Sequence, residues 1–345
     1  MRDNNKTILI IRLSALGDVG MTIPAIYSLA LRYPEIHIKV LTRPFFSRLF
    51  INCPENISFI LFQERHKGIR GTIRLIRELY KEDIYYVADF HNILRSWTID
   101  LFFTFKGTNV AIVNKKRMER IFIRKKMVQS SSFVQRYAEV LSKLGFVVSP
   151  LIDRIPTTGK HLMPKCSFTK GTENWIGIAP MARYKNKTYP IDLMKIVVNG
   201  LSHMKETRIF LFGSKEDKQI LMSWENNNVK CIAGTMAIEK ELALMSELDL
   251  MVSMDSANMH LASLVRTTVI SIWGGTTPAC GFLGWRQSHN NAIYADLKCQ
   301  PCCIAGNDKC RLNDYRCLNI APSTIISFIT KSLPNDRKTC LTEQT

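Results

Sequence analysis

The stretch from Leu248 to Gly275, LDLMVSMDSANMHLASLVRTTVISIWGG, most narrows what this chain can fold into. Leu250 to Met254 is a short apolar run of the kind buried on both faces of a parallel sheet. Asp255 and Ser256 break it with two small polar residues, both good helix N-caps, and Ala257 to Val265 has helix-forming composition. Thr267 to Trp273 is β-branched and apolar and returns to the sheet. A polar break at the carboxyl end of a parallel strand, opening a helix, is where doubly wound folds bind ligands. The unpaired N–H groups of that helix, with its positive dipole end, suit an anion such as a diphosphate. His260 lies one turn into the helix. An ordinary β-α-β crossover capped by an Asp reads the same way, so the remaining chain has to decide between them.

The chain has 345 residues, enough for two domains, each with its own core. Hydrophobic content of 46% and charged content of 22% are those of a globular protein. No apolar run approaches the ~20 residues needed to cross a bilayer. Ile8 to Ile11 is apolar, but Arg12 and Asp18 interrupt it, so it reads as a first strand and not a signal peptide. The expected location is the cytoplasm. The net charge of +18 is uneven: residues 1–160 hold 26 Lys and Arg against 13 Asp and Glu, and the remainder 21 against 16. The excess is densest from Lys115 through Lys126. Such a basic half points to an anionic partner, either nucleic acid, a phosphorylated glycan or the acidic cytoplasmic leaflet, or else to a solvated face.

In chain order, Thr7 to Leu13 reads as a strand, Ser14 to Gly20 as a glycine-bearing turn and Met21 to Tyr33 as an amphipathic helix. This is not a dinucleotide fingerprint, since only Gly17 and Gly20 stand where G-x-G-x-x-G is needed. Strands follow at 36–42, 57–62, 84–89 and 110–113, with helices at 69–80 and 133–144. The polar residues His91, Asn92 and Arg95 come just past the fourth strand. Residues 145–172 read as a linker, and the alternation then restarts. Strands at 175–180, 208–212 and 229–233 are followed by the polar or glycine-bearing loops MARYKNKTYP, Gly213-Ser214 and Gly234-Thr235. The expected architecture is α/β: a first domain over residues 1–160, a second over 173–321, and a C-terminal helix and tail over 322–345. Both domains are expected to be Rossmann-like, with parallel sheets facing across a cleft.

Asp18, Lys187, the helix-opening Glu239 and Glu241, and Asp255, Ser256 and His260 all fall at strand ends. A carboxylate can take the proton of an acceptor hydroxyl, while a Lys and a helix N-terminus can hold a leaving diphosphate. RLSALGDVGMTIPA (Arg12 to Ala25), KTYP (Lys187 to Pro190), MDSANMHLAS (Met254 to Ser263) and a late Cys-rich loop together resemble the heptosyltransferase family of bacterial glycosyltransferases, glycosyltransferase family 9. The resemblance covers nearly the whole chain. It implies a GT-B fold and inverting, metal-independent transfer of a sugar from a nucleotide-sugar donor, typically ADP-heptose, to lipopolysaccharide core or a related glycan. It implies Asp18 as general base and Lys187 as the contact to the donor phosphates. Asp255, Ser256, Ala257 and His260 match the donor-site pattern Asp-Thr-Gly-x-x-His, with Ser for Thr and Ala for Gly. Either Glu239 or Glu241 matches the Glu expected near the nucleotide ribose.

Gly213, Ser214 and Gly234 complete the candidate donor site, and Gly17, His91, Asn92, Arg95, Lys116, Arg117 and Arg120 form the candidate acceptor side. No cofactor beyond the nucleotide sugar is expected. The expected partner is a lipid-linked anionic glycan met at the cytoplasmic face of the inner membrane, with peripheral membrane contact and no nucleic acid. The late loop, C-x2-C-C-x6-C-x6-C, makes Cys299, Cys302, Cys310 and Cys317 candidate zinc ligands, although the second pair lacks the close spacing of zinc ribbons. A packing loop of reduced thiols is the expectation there. Two other functions fit the same scaffold: a nucleotide-sugar epimerase, which leaves the basic half unexplained, and a non-catalytic binder of acidic glycan or nucleic acid. Phe122 is the only aromatic in the basic run, which disfavours single-strand binding.

Overall fold

The computed structural model describes residues 6–306 and 309–333. The chain divides into two compact units, Met1–Arg117 with Ser131–Met163, and Met118–Ser130 with Pro164–Thr345.

The first unit is built on five parallel strands, β1 (Thr7–Ile11), β2 (His37–Thr42), β3 (Ile57–Leu61), β4 (Ile84–Asp89) and β5 (Asn109–Ile112), in the order β3-β2-β1-β4-β5. The five residues of β1, TILII, are all buried, as a central strand covered on both faces requires. Strand order reverses between β1 and β4, so right-handed crossovers place the helices of the two halves on opposite faces. Helices Gly68–Tyr80 and Leu94–Phe105 cover one face. Leu75, Leu79, Ile99 and Phe103 pack there on Leu9, Ile11 and Val87. Helices Ile23–Arg32 and Phe133–Lys143 pack against each other.

The second unit repeats the plan with six parallel strands, β6 (Asn174–Ala179), β7 (Thr207–Leu211), β8 (Val229–Cys231), β9 (Leu250–Met254), β10 (Val269–Ile272) and β11 (Ala292–Ile293). Their order is β11-β10-β9-β6-β7-β8, with the reversal between β6 and β9. That is the doubly wound dinucleotide-fold order, reached without its glycine fingerprint. Every residue of β6 and β9 is buried. At Gly177 a side chain would meet those of Leu248 and of Met251, its partner on β9, so glycine leaves room for the side chains of the adjoining strand.

Three boundaries differ from the sequence expectation. Residues 118–130 belong with the second unit: Ser130 N–H donates to the Ala279 carbonyl (2.9 Å), and Lys126 pairs with Asp296 (2.5 Å). The helix Pro322–Ser332 belongs to the second unit, packing on helix Ile191–Ser202 with Ile325 and Ile329 in the same core as Ile176, Ile178 and Val252, while the tail from residue 334 on lies outside the described residues. Residues 94–105, where the sequence suggested only a polar strand end, form a 12-residue helix.

Candidate active site

In each unit the polar groups gather where strand order reverses, because all parallel strands end on one edge and the crossovers part there. In the first unit β1 runs into Arg12, and residues Leu16–Gly20 form a short helix containing Gly17 and Asp18. Arg12 is buried. Its guanidinium donates to the carbonyls of Ser14 (2.7 Å) and Phe90 (2.6 Å) and to the Tyr137 hydroxyl (3.2 Å), and it pairs with Asp18 Oδ2 at 2.7 Å. Asp18 Oδ2 also accepts the Ala15 N–H (3.2 Å), closing a capping turn. The Asp18 side chain stays 30% exposed while that of Arg12 is 6% exposed, so the carboxylate is the presented member of the pair.

The neighbouring strand β4 ends in Asp89, which accepts from His91 N–H (2.7 Å), Asn92 N–H (2.9 Å) and the Ser96 hydroxyl (2.6 Å). This turn sets His91 beside the first loop. Its Nδ1 accepts the Leu13 N–H (3.4 Å), which assigns the ring proton to Nε2, 3.2 Å from Ser14 Oγ. Burial, followed by Arg12 and Lys115, pulls His91 down to about 3, so it is a neutral ring and not a cation for an anionic acceptor. Behind Asp89 lies Asp100, buried, with neither oxygen meeting a donor among the described residues. Burial and the nearby Asp89 push its carboxyl up to about 8, and as the neutral acid it can donate to Asp89.

The other acceptor-side candidates have local partners of their own where they are described. Asn92 is spent internally: its amide donates to the Val113 carbonyl (2.7 Å), and its side-chain oxygen accepts the Trp97 indole N–H (2.8 Å). Arg95 lies over the Phe62 ring (4.8 Å), and the Lys116 N–H donates to Asn114 Oδ1 (2.8 Å). The side chains of Arg117 and Arg120 lie outside the described residues.

In the second unit the loop after β6 ends in the turn Lys185–Lys187. Lys187 Nζ pairs with Asp255 Oδ2 at 2.7 Å, their side chains 10% and 3% exposed. The Thr276 hydroxyl donates to the same carboxylate oxygen (2.6 Å), and the Phe282 ring lies 5.7 Å from the ammonium. Two glycines make this packing possible. A side chain at Gly274 would overlap the Asn186 carbonyl, which accepts the Gly275 N–H (2.7 Å). A side chain at Gly306, which has φ +81, would overlap the stem of Lys187. The Asn186 amide donates to Cys303 Sγ (3.3 Å), tying the same turn to the Cys-rich loop.

Asp255 follows β9, and Ser256 is the N-cap of helix Ala257–Leu264, with His260 buried in it. Ser256 Oγ is 3.2 Å from Ser253 Oγ and makes no side-chain cap bond to the helix. After β7, the Ser214 N–H and hydroxyl both donate to Asp217 Oδ2 (2.8 Å each). Gly234, after β8, has φ +61 and lies against Lys215, where a side chain would collide with backbone, so the Gly213 and Gly234 loops meet. Glu239 and Glu241 both lie in the first turn of helix Ile238–Glu247, and burial pushes the Glu241 carboxyl up to about 7.

Cys299, Cys302, Cys310 and Cys317 line one cavity of about 390 Å³, together with Arg124, Lys125 and further residues of the loop. Among the described residues, no three His, Cys, Asp or Glu side chains are grouped so as to hold a metal ion. Cys302 Sγ lies 3.4 Å from the Gly275 carbonyl. A hydrogen bond from Cys302 is the largest influence drawing Cys303 down to about 7.

Sequence reasoning missed Tyr137, Asn186, Thr276 and Gly306. It took Arg12 only as a charge that interrupts the first apolar run and as the start of a motif. An arginine inside the apolar run ILIIRLSAL was the available signal, because a buried cation needs several acceptors.

Two doubly wound parallel sheets, each with charged groups at its switch point, define a protein of two Rossmann-like domains. The profile of glycosyltransferase family 9 (heptosyltransferase) matches residues 72–312, and the chain belongs to that family. It is therefore a glycosyltransferase. Lipopolysaccharide heptosyltransferase 3 of Escherichia coli is 23% identical over 340 residues, covering 92% of this chain and 97% of that protein. Among solved structures, a family 9 glycosyltransferase from Veillonella parvula superposes with a TM-score of 0.70 at 17% identity, over 96% of this chain and 98% of that one. The ADP-heptose lipopolysaccharide heptosyltransferase II of E. coli gives 0.65 at 16% identity, over 94% and 98%. These likenesses place the fold with the GT-B heptosyltransferases.

Proposed function

We propose that this glycosyltransferase moves a heptose or similar sugar from an ADP-linked donor to a lipid-linked anionic glycan of the lipopolysaccharide-core type, with inversion and without a metal. The observation that carries the reading is the pair of opposite devices at equivalent places: a presented carboxylate on a buried arginine, Asp18 on Arg12, and a lysine on a buried carboxylate, Lys187 on Asp255. Asp18 takes the proton of the acceptor hydroxyl as that oxygen bonds to the anomeric carbon. The bond from that carbon to the diphosphate breaks, and the electron pair leaves with the nucleotide. Lys187 and the N–H groups opening helix Ala257–Leu264 receive the developing charge. An ammonium has three donors, so Lys187 can hold Asp255 and still reach phosphate. Glu239 or Glu241 meets the nucleotide ribose. The reaction takes place at the cytoplasmic face of the inner membrane.

The test is transfer from ADP-heptose to glycolipid extracted from a strain lacking this protein, with the product read by mass spectrometry. A heptose mass increment that persists in EDTA is expected. No increment, or one that EDTA abolishes and a divalent cation restores, overturns the donor or the metal-free account respectively.

A further inference from the structure

We infer that helices Gly68–Tyr80 and Leu94–Phe105 of the first unit form a docking face for an anionic lipid bilayer. The helix LRSWTIDLFFTF is apolar on two opposite sides. Ser96, Ile99, Asp100 and Phe103 are buried toward the sheet. Leu94, Trp97, Leu101 and Phe105 fall within about 80° of each other on the opposite side at 100° per residue. They are 74%, 44%, 57% and 84% exposed. A soluble helix normally turns charge outward, so a second apolar stripe marks a surface that meets something apolar.

The neighbouring helix extends the stripe. Gly71, Leu75 and Leu79 are its buried side, while Ile69, Ile73 and Tyr80 are exposed. The Tyr80 ring meets the Phe102 ring at 6.2 Å and carries Lys106 Nζ at 4.5 Å, which joins the two helices along this flank. Beyond Ile73, the same helical count places Arg77, Arg70, Lys81 and Arg74 in a second stripe. Glu78 is the one acidic side chain in that helix, and Arg65 (3.4 Å) and His66 (3.1 Å) engage it.

An apolar strip bordered by arginines and lysines is the composition of a helix lying in the interface of a membrane with acidic headgroups. Charge complementarity therefore selects an anionic leaflet as the occupant over a second copy of this chain, whose face would bring the same cations together. Among the described residues no helix is long and apolar enough to cross the membrane, so contact through such a face is peripheral. The inference rests on the proposed lipid-linked acceptor for its purpose but not for its test.

The test is co-flotation of the full chain with vesicles of phosphatidylglycerol and phosphatidylethanolamine, with phosphatidylcholine vesicles as control and no acceptor present. Wild type is expected to bind the anionic vesicles at least tenfold more tightly. Leu101→Asp and Phe105→Asp, both at exposed positions, are each expected to weaken that binding about tenfold or more. Arg70→Gln with Arg74→Gln and Arg77→Gln is expected to weaken binding severalfold and to remove most of its salt dependence. ADP binding, measured in parallel, should not change in any variant, so a wrong docking face and a wrong donor give separate failures. Equal binding of wild type and both Asp variants overturns the inference. So does a wild type that ignores vesicles but sediments as a dimer that Phe105→Asp converts to monomer, because the face is then a self-interface.

Discussion

The two switch points are the same topological place filled with opposite charge. In the first unit the cation is buried and the acid presented: the Arg12 side chain is 6% exposed and that of Asp18 30%. In the second the acid is the more deeply buried member, Asp255 at 3% against 10% for Lys187. The supports differ as well. Arg12 spreads its donors over two carbonyls and a phenol besides Asp18, so it keeps partners if Asp18 changes. Asp255 is held by Lys187 and Thr276, so its charge depends on the lysine. Asp18 can thus be altered at little structural cost, whereas Lys187 is part of the core it serves.

The largest expected effect separates these roles. Asp18→Asn keeps size and hydrogen bonding but removes proton acceptance, and kcat should fall by about 10²–10⁴. ADP affinity should stay within about threefold, and the unfolding midpoint should hardly move. Steady-state kinetics with calorimetric ADP titration checks this, and retention of more than about a tenth of wild-type turnover would falsify the assignment of the base.

Lys187→Ala should behave otherwise. Removing one partner of a buried pair leaves an uncompensated charge and costs about 3–5 kcal/mol. ADP binding should also weaken by tenfold or more, as the diphosphate loses a cation. Lys187→Ala combined with Asp255→Asn sharpens the contrast: the neutral amide needs no counter-charge, so stability should recover while ADP binding does not. If stability and ADP binding recover together, Lys187 acts only as a structural counter-ion and the diphosphate is held elsewhere.

These contrasts were partly readable in the sequence. Strands such as TILII and LMVSM announce themselves because a buried parallel strand must be continuously apolar, and β4 and β9 fall where the pattern placed them. Helix Leu94–Phe105 was not readable, because apolar residues on both sides erase the 3.6-residue period that marks an amphipathic helix. β11 has two residues and gives no period at all. The crossing at 118–130 is invisible for another reason: nothing local in a basic run records that Ser130 will meet Ala279. The charged residues at strand ends were legible, as loop polarity and the family resemblance both pointed to them. Their supports were not. Tyr137 lies 125 positions from Arg12, and Thr276 21 from Asp255. Gly306 serves Lys187 from the far side of the whole sheet sequence, so only the folded chain reveals why it lacks a side chain.

The smallest expected effect tests the acid pair behind the first switch point. Asp100 is raised to about 8 by burial and by Asp89, above the ~3.9 of an unfolded aspartate. Between those values the native chain holds a proton that the unfolded chain has released. The stability tied to Asp100 is therefore complete below about pH 4 and is lost as pH rises toward 8. His91 has the opposite sign: lowered to about 3, it makes stability fall as pH drops from about 6.5. From pH 6.5 to 8 the unfolded His91 loses the rest of its charge, a contribution shared by wild type and an Asp100 variant, so comparing the two isolates Asp100. Asp100→Asn remains neutral and can still donate to Asp89. Relative to this variant, wild type should lose about 2 kcal/mol across the window, or roughly 5 °C in unfolding midpoint. Midpoints for the two proteins that run parallel from pH 6.5 to 8 would mean that Asp100 is ionised in the folded chain. Asp89 would then carry an unrelieved like charge behind His91, and the buried support of the first switch point would need a different account from the one Arg12 and Asp89 now give it.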